Sequence, residues 1–189
     1  MPQRVAIAIA SPSDVQKERD AVLKVFNRWN DTNDLAFLHS KMWESSSVPT
    51  LGDHPQHILN HSIIEKSDLL LAILWSKLGT PTPTASSGTV EEIREFIKIK
   101  GPGRVMLYFC KRDIPYDTDP SDFVKLRDFK DQMRTQGLYH EFHTLEEFER
   151  DLYRHLDVKV DEFIRGNRQC NHPQYYGCAN HPNLKIAQL

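Results

Sequence analysis

The run DLLLAILW at residues 68–75 constrains this chain more than any other feature. Residues 69–75 are all apolar, far short of the roughly 18 needed to cross a bilayer. The run is also too unbroken for a strand with one wet face. A strand without a polar face has to be covered on both sides, as at the centre of a parallel sheet. RVAIAIA (4–10) and RVMLYFC (104–110) share this character, and LAFLH (35–39) and LYHEF (138–142) supply two shorter strands.

Helical periodicity fills the intervals between these strands. Pro12 bars Ser11 from helix, and Ser13 followed by Gln16 fits a capping box. Val15, Val22, Val25, Phe26 and Trp29 then recur at helical spacing. A Ser-, Pro- and Gly-rich loop covers about 44–55, and 56–65 reads as a helix with Ile58, Ile63 and Ile64 inward. KLGTPTPTASSG (77–88) has two prolines and a small polar run, so it is a loop. A helix over 89–100 is stopped by GPG (101–103), and 113–119 is a loop. The next helix spans 121–136, with Phe123, Leu126, Phe129 and Met133 on one face and Gly137 at its close. Thr144 caps a last helix reaching about Arg165. The expected division is therefore one α/β domain over 1–165 and an irregular tail over 166–189.

Strands alternating with helices imply right-handed parallel β-α-β units and an open, doubly wound sheet. Ligands of such sheets bind beyond the carboxyl ends of the strands, where the strand order reverses. Three polar loops fall at that edge: SPSD after the first strand, MWESSS after the second, and the long WSKLGTPTPTASSGT after the third.

Charge narrows the partners. With 24 basic and 26 acidic residues the chain lacks the basic excess of a nucleic-acid binder. Neither a signal peptide nor a membrane span is evident. Three cysteines, Cys110 in a strand and Cys170 and Cys178 in the tail, do not make a disulfide framework, so a reducing cytoplasm is expected. The tail holds two near-copies of Cys-Asn-His-Pro. Cys170, His172, Cys178 and His181 are types that zinc accepts, but their spacing matches no common zinc pattern, and an irregular tail or linker explains them as well. His54, His57 and His61 read as solvated. No metal or cofactor is expected.

The stretch SSGTVEEIREF (86–96) poses the functional question. Glu91 and Glu92 open a helix, where carboxylates interact well with the helix dipole, and capping alone could account for them. The loop before them is long and built from small residues that allow close approach of a ligand. Trp75 and Trp43 lie near the same edge and could stack on a flat base, although Trp75 could equally be core and Trp43 a loop anchor. A carboxylate held beside such a pocket can stabilise positive charge as a glycosidic bond breaks.

Together VAIAIASPSDVQKERDAV, SDLLLAILWSKLGT, SGTVEEIREFI and VMLYFC resemble prokaryotic TIR-like domains of the branch with SPSDV and SGTxxE motifs, over about residues 4–160. The resemblance implies a three-layer flavodoxin-like fold with a five-stranded parallel sheet in the order 2-1-3-4-5. Enzymatic members of that family cleave the nicotinamide–ribose bond of NAD, with an essential Glu at the start of the helix after the third strand. Four positions after Gly88 that residue is Glu92. Ile93, Phe96 and Ile97 mark the buried side of the helix, which favours Glu92 over Glu91. Ser11 and Asp14 then line the ribose or phosphate region, with Trp43, Trp75, Ser76 and Ser87 as further substrate contacts. The related nucleoside deoxyribosyltransferases carry an Asp shortly before their Glu. Here Ser86 and Ser87 stand there, which favours hydrolysis over transfer to a base. The resemblance thus implies an NAD nucleosidase with NAD as substrate, acting as a self-associating effector with a role in defence. A non-catalytic interaction module and a nucleoside-processing enzyme are the alternatives.

Overall fold

The computed structural model describes residues 2–41, 63–79, 87–116 and 118–170. Five strands, β1 (Gln3–Ala10), β2 (Ala36–Lys41), β3 (Leu69–Leu74), β4 (Val105–Cys110) and β5 (His140–Phe142), form one sheet in the order β2-β1-β3-β4-β5. Every pairing is parallel, with Ala10 opposite Ala72 and Leu74 opposite Phe109. This is the expected flavodoxin-like order, and the direction of strand succession reverses between β1 and β3. Every residue of β3 is buried, as a strand covered on both faces must be.

Besides a helical stretch at 63–65, four helices are described: α1 (Gln16–Thr32), α2 (Gly88–Lys100), α3 (Pro120–Arg134) and α4 (Leu145–Cys170). One sheet face packs Ala8, Leu70, Ala72, Leu74 and Phe109 against Val90, Ile93 and Phe96 of α2 and Leu126, Phe129 and Met133 of α3. On the other face Tyr108 meets Phe148 of α4 edge-on at 5.4 Å, and Phe142 lies 4.7 Å from the same ring. Each such side chain contributes about 1.5–3 kcal/mol on full burial. Asn30 of α1 receives the Leu38 N–H at 2.8 Å and donates to the Leu38 carbonyl at 2.9 Å, tying α1 to the edge strand β2.

Contacts divide the chain into two compact units, Met1–Tyr153 and Arg154–Leu189. In the first, Tyr153 bonds Thr32 at 2.7 Å and lies under the Arg28 guanidinium at 5.0 Å. In the second, α4 continues with Leu156, Val160 and Ile164 buried and runs to Cys170, past the expected end at Arg165.

Two local expectations change. Ser13 and Gln16 form no capping box. A 3-10 turn, Ser13–Val15, precedes α1, Ser13 is exposed, and the Gln16 amide donates to Asp20 instead. A reciprocal cap does occur at α4, where Thr144 Oγ1 accepts the Glu147 N–H at 3.1 Å and Glu147 accepts the His143 N–H at 2.7 Å. Phe123 is 43% exposed, because it sits in the first turn of α3, ahead of the stretch that reaches the sheet. Of the helix expected over 56–65 only residues 63–65 are described, and they are helical. No helix among the described residues is long and apolar enough to cross a membrane.

Candidate functional site

The turn after β1 and the turn after β3 meet where the strand order reverses, and one carboxylate joins them. Asp14 Oδ2 accepts both the backbone N–H of Ser76 (3.0 Å) and its hydroxyl (2.8 Å). Pro12, extended at φ −71° and ψ 171°, leads into the 3-10 turn that carries Asp14. The first turn of α1 is thus anchored from β3 rather than by its own cap. Ser76 is buried with its single hydroxyl proton given to Asp14, so its part is to hold Asp14.

Gly79 closes the junction from the third loop. Its φ of +103° belongs to glycine, and a Cβ there would lie 3.2 Å from Thr89 Oγ1, 3.4 Å from Ser87 Oγ and 3.6 Å from Pro12 Cβ. The loop backbone therefore passes directly over the start of α2. Ser87 is the N-cap of α2: its hydroxyl accepts the Val90 N–H at 3.3 Å and donates to the Leu78 carbonyl. With no exposed surface and both hydrogen-bonding roles filled from the protein, Ser87 is a cap, which corrects its expected part as a substrate contact.

Glu92 lies in the second turn of α2 and is only 8% exposed, whereas Glu91 is half-buried. Burial raises the Glu92 carboxyl from 4.5 to about 8; the Glu91 and Glu95 charges push the same way, and Arg19 of α1 opposes them. The expectation that Glu92 rather than Glu91 lies toward the buried side of the helix holds.

Trp75 is half-buried at the end of β3. The Arg112 guanidinium covers one face of its ring at 3.6 Å from the centroid, and the indole N–H donates to the Arg112 carbonyl at 3.2 Å. The expected stacking role is corrected on that face, since an arginine already occupies it. Arg112 also donates to Glu18 (2.6 and 3.5 Å) and, at 3.4 Å, to the Asp14 carbonyl. Glu18 is 1% exposed on its side chain, so this is a buried ion pair at the same edge.

Glu18, Arg19, Gly79 and Arg112 escaped the sequence reading. Two of them carry a legible signal: positions 15, 18, 19, 22, 25, 26 and 29 are all buried on one helix face, and a charged pair interrupts that stripe. Arg112 follows β4 in a polar loop and has no such mark. Ser11 is half-buried in the same turn as Asp14. Trp43, the three histidines at 54, 57 and 61, and His172, Cys178 and His181 lie outside the described residues, as does the long loop over 80–86. Among the described residues no group of three or more His, Cys, Asp or Glu side chains is placed to hold a metal.

Fold and site define an α/β protein of flavodoxin-like order with a clamped polar edge at the reversal of strand order. A model of the family described as "Domain of unknown function (DUF4062)" matches residues 7–157, and the chain belongs to that family. No curated protein matches the chain. Among solved structures it is similar to one described as "Crystal structure of conserved protein from Enterococcus faecalis V583", at 15% identity and a TM-score of 0.38, covering 78% of this chain and 99% of that one. A likeness that weak carries nothing further about fold or function.

Proposed function

We propose that this chain is a TIR-like NAD glycohydrolase that hydrolyses the nicotinamide–ribose bond, with Glu92 as the catalytic carboxylate. The observation that carries the reading is the burial of Glu92 beside the junction of the first and third loops. In NAD the nicotinamide nitrogen is a pyridinium, so cleavage releases a neutral base and needs no acid. Positive charge passes to the sugar, water attacks the anomeric carbon, and the products are ADP-ribose, nicotinamide and a proton. A carboxylate with little water around it interacts strongly with that charge as it develops. Bringing a cationic substrate against Glu92 also favours its ionised form, offsetting the burial that holds its proton in the free protein.

The proposal extends to an effector activated by self-association or by a partner, which calls for assay under crowded conditions. Nicotinamide release from NAD by wild type, lost in Glu92→Gln, is the expected result. Release that survives this substitution would overturn the role of Glu92. Turnover of NAD should rise with pH toward about 8 as the carboxyl ionises.

One observation favours a second reading. A carboxyl that keeps its proton at neutral pH can act as a general acid, which a neutral base leaving a nucleoside requires. That enzyme would lose activity above pH 8 rather than gain it. Absence of turnover with either substrate in crowded, assembled protein would leave the interaction module.

A further inference from the structure

The clamp between the first and third loops leaves two polar atoms without partners. Ser11 Oγ and Asp14 Oδ1 are both shielded from solvent, and neither has a hydrogen-bond partner among the described residues. They belong to one turn, three residues apart. Asp14 has its other oxygen committed to two donors on Ser76, so the carboxylate cannot rotate to satisfy Oδ1 without breaking that anchor. A buried polar atom left unpaired costs about 1–3 kcal/mol, and a ligand that reaches both atoms recovers that cost.

The chemistry of the pair restricts the ligand. Asp14 Oδ1 is an acceptor only, whereas Ser11 Oγ both donates and accepts. A phosphate offers acceptors alone, and Asp14 Oδ1 has no donor to give it. Arg112, which donates to the Asp14 carbonyl, is already paired with Glu18. A metal ion requires more ligands than these two atoms, and no suitable group exists among the described residues. Two adjacent hydroxyl groups match that chemistry: one can donate to Asp14 Oδ1, and the other can exchange a hydrogen bond with Ser11 Oγ.

We propose that Ser11 Oγ and Asp14 Oδ1 form a receptor for the neighbouring 2′- and 3′-hydroxyls of a ribose, so that the site takes ribosides and rejects sugars lacking one of them. Ser76 is the positioning residue that aims Asp14. This inference rests on the reading of the edge as a site for glycosidic cleavage, and it specifies the sugar that the site accepts. Sites that pair a substrate hydroxyl with otherwise unpaired polar groups discriminate strongly against analogues without it.

The test compares NAD with its analogue lacking the 2′-hydroxyl on the nicotinamide ribose. Binding is measured calorimetrically on Glu92→Gln protein, so that cleavage does not intervene, and turnover is measured on wild type. Glu92→Gln should bind NAD at least about tenfold more tightly than the deoxy analogue. Adding Asp14→Asn, which can keep its carbonyl toward Ser76 while presenting an amide donor in place of Oδ1, should bring the two within about threefold, as should adding Ser11→Ala. Thermal melting of each variant checks that the fold is intact. Equal binding of both ligands by Glu92→Gln overturns the ribose receptor, and does so without touching the functional reading if wild type still releases nicotinamide. A ribose preference in binding without any turnover by wild type supports the receptor and overturns the hydrolase. Failure to bind either ligand overturns the receptor outright.

Discussion

Glu92→Gln keeps the shape of the side chain and removes its proton equilibrium, which makes it the most informative substitution in this chain. In the unfolded chain a glutamate ionises near pH 4.5, while in the folded protein Glu92 keeps its proton to about pH 8. Between those limits the folded state binds the proton that the unfolded state has released. Stability therefore falls as pH rises, by about 1.4 kcal/mol for each pH step of one. The sign is that of an acid whose folded value is raised: no cost below pH 4.5, and the full cost reached only above 8. At pH 7 the folded state forgoes about 3 kcal/mol through this group alone. Glutamine does not ionise, so Glu92→Gln should exceed wild type by up to that amount at pH 7 and match it near pH 4.5, less whatever its amide loses by burial. For a chain of this length the difference corresponds to about 6–12 °C in Tm at neutral pH.

The assay is thermal or urea denaturation of both proteins at intervals from pH 4.5 to 8.5, reading the difference between them rather than either curve. Other titrating groups contribute equally to the two and cancel. A constant difference across that range would refute the reasoning, since it would mean that Glu92 ionises alike in the folded and unfolded chains. A difference growing in favour of wild type as pH rises would show the opposite sign and a carboxylate stabilised by Arg19.

Two further substitutions probe the frame around this residue. Gly79→Ala forces a left-handed backbone on alanine and crowds Thr89 Oγ1 from 3.2 Å; it should cost about 1–3 kcal/mol, lower Tm by about 2–12 °C and, on the proposed function, reduce nicotinamide release, because the backbone it displaces overlies the start of α2. Arg112→Met strands Glu18 as a buried charge and should cost about 3–5 kcal/mol in urea denaturation, while adding Glu18→Gln should restore most of that; a double variant as unstable as the single would show that stacking on Trp75, not the charge pair, is what Arg112 supplies.

Much of the fold was legible because burial leaves a periodic trace. The all-apolar 69–75 run announced a doubly covered strand, and the alternation of such runs with helical stripes gave the parallel order. Glu92 was readable for the same reason: its neighbours Ile93 and Phe96 mark the inner face of α2, so a carboxylate next to them had to be drawn inward. What resisted reading was hydrogen bonding across long sequence separations. Nothing near Ser76 reveals that both of its donors belong to Asp14, 62 residues earlier. Trp75 looked like a platform for a base because the sequence is silent about Arg112, 37 residues on, which covers it. Serine preceding a helix is ambiguous in the same way: Ser13 lacks the cap that its spacing predicts, and Ser87 has one.

The acids at this edge differ in how their charge is met, and that difference separates their roles. Glu18 is buried but paired with Arg112. Asp14 has one oxygen fixed by two donors and is half-exposed. Glu91 remains partly in solvent. Glu92 alone is both buried and surrounded by influences that, taken together, oppose its ionisation, with Arg19 too weak to reverse them. A fold could remove that penalty with a single glutamine or leucine, since an apolar neighbour stripe already surrounds the position. Ionisable groups with strongly shifted titration cluster at functional sites, which is what makes Glu92 the candidate. In the proposed hydrolase Asp14 is the carboxylate fixed in position by Ser76, and Glu92 the one whose charge develops as a positive centre forms beside it. On that proposal, a gain in stability and a loss of nicotinamide release in Glu92→Gln are two measurements of the same desolvated carboxyl.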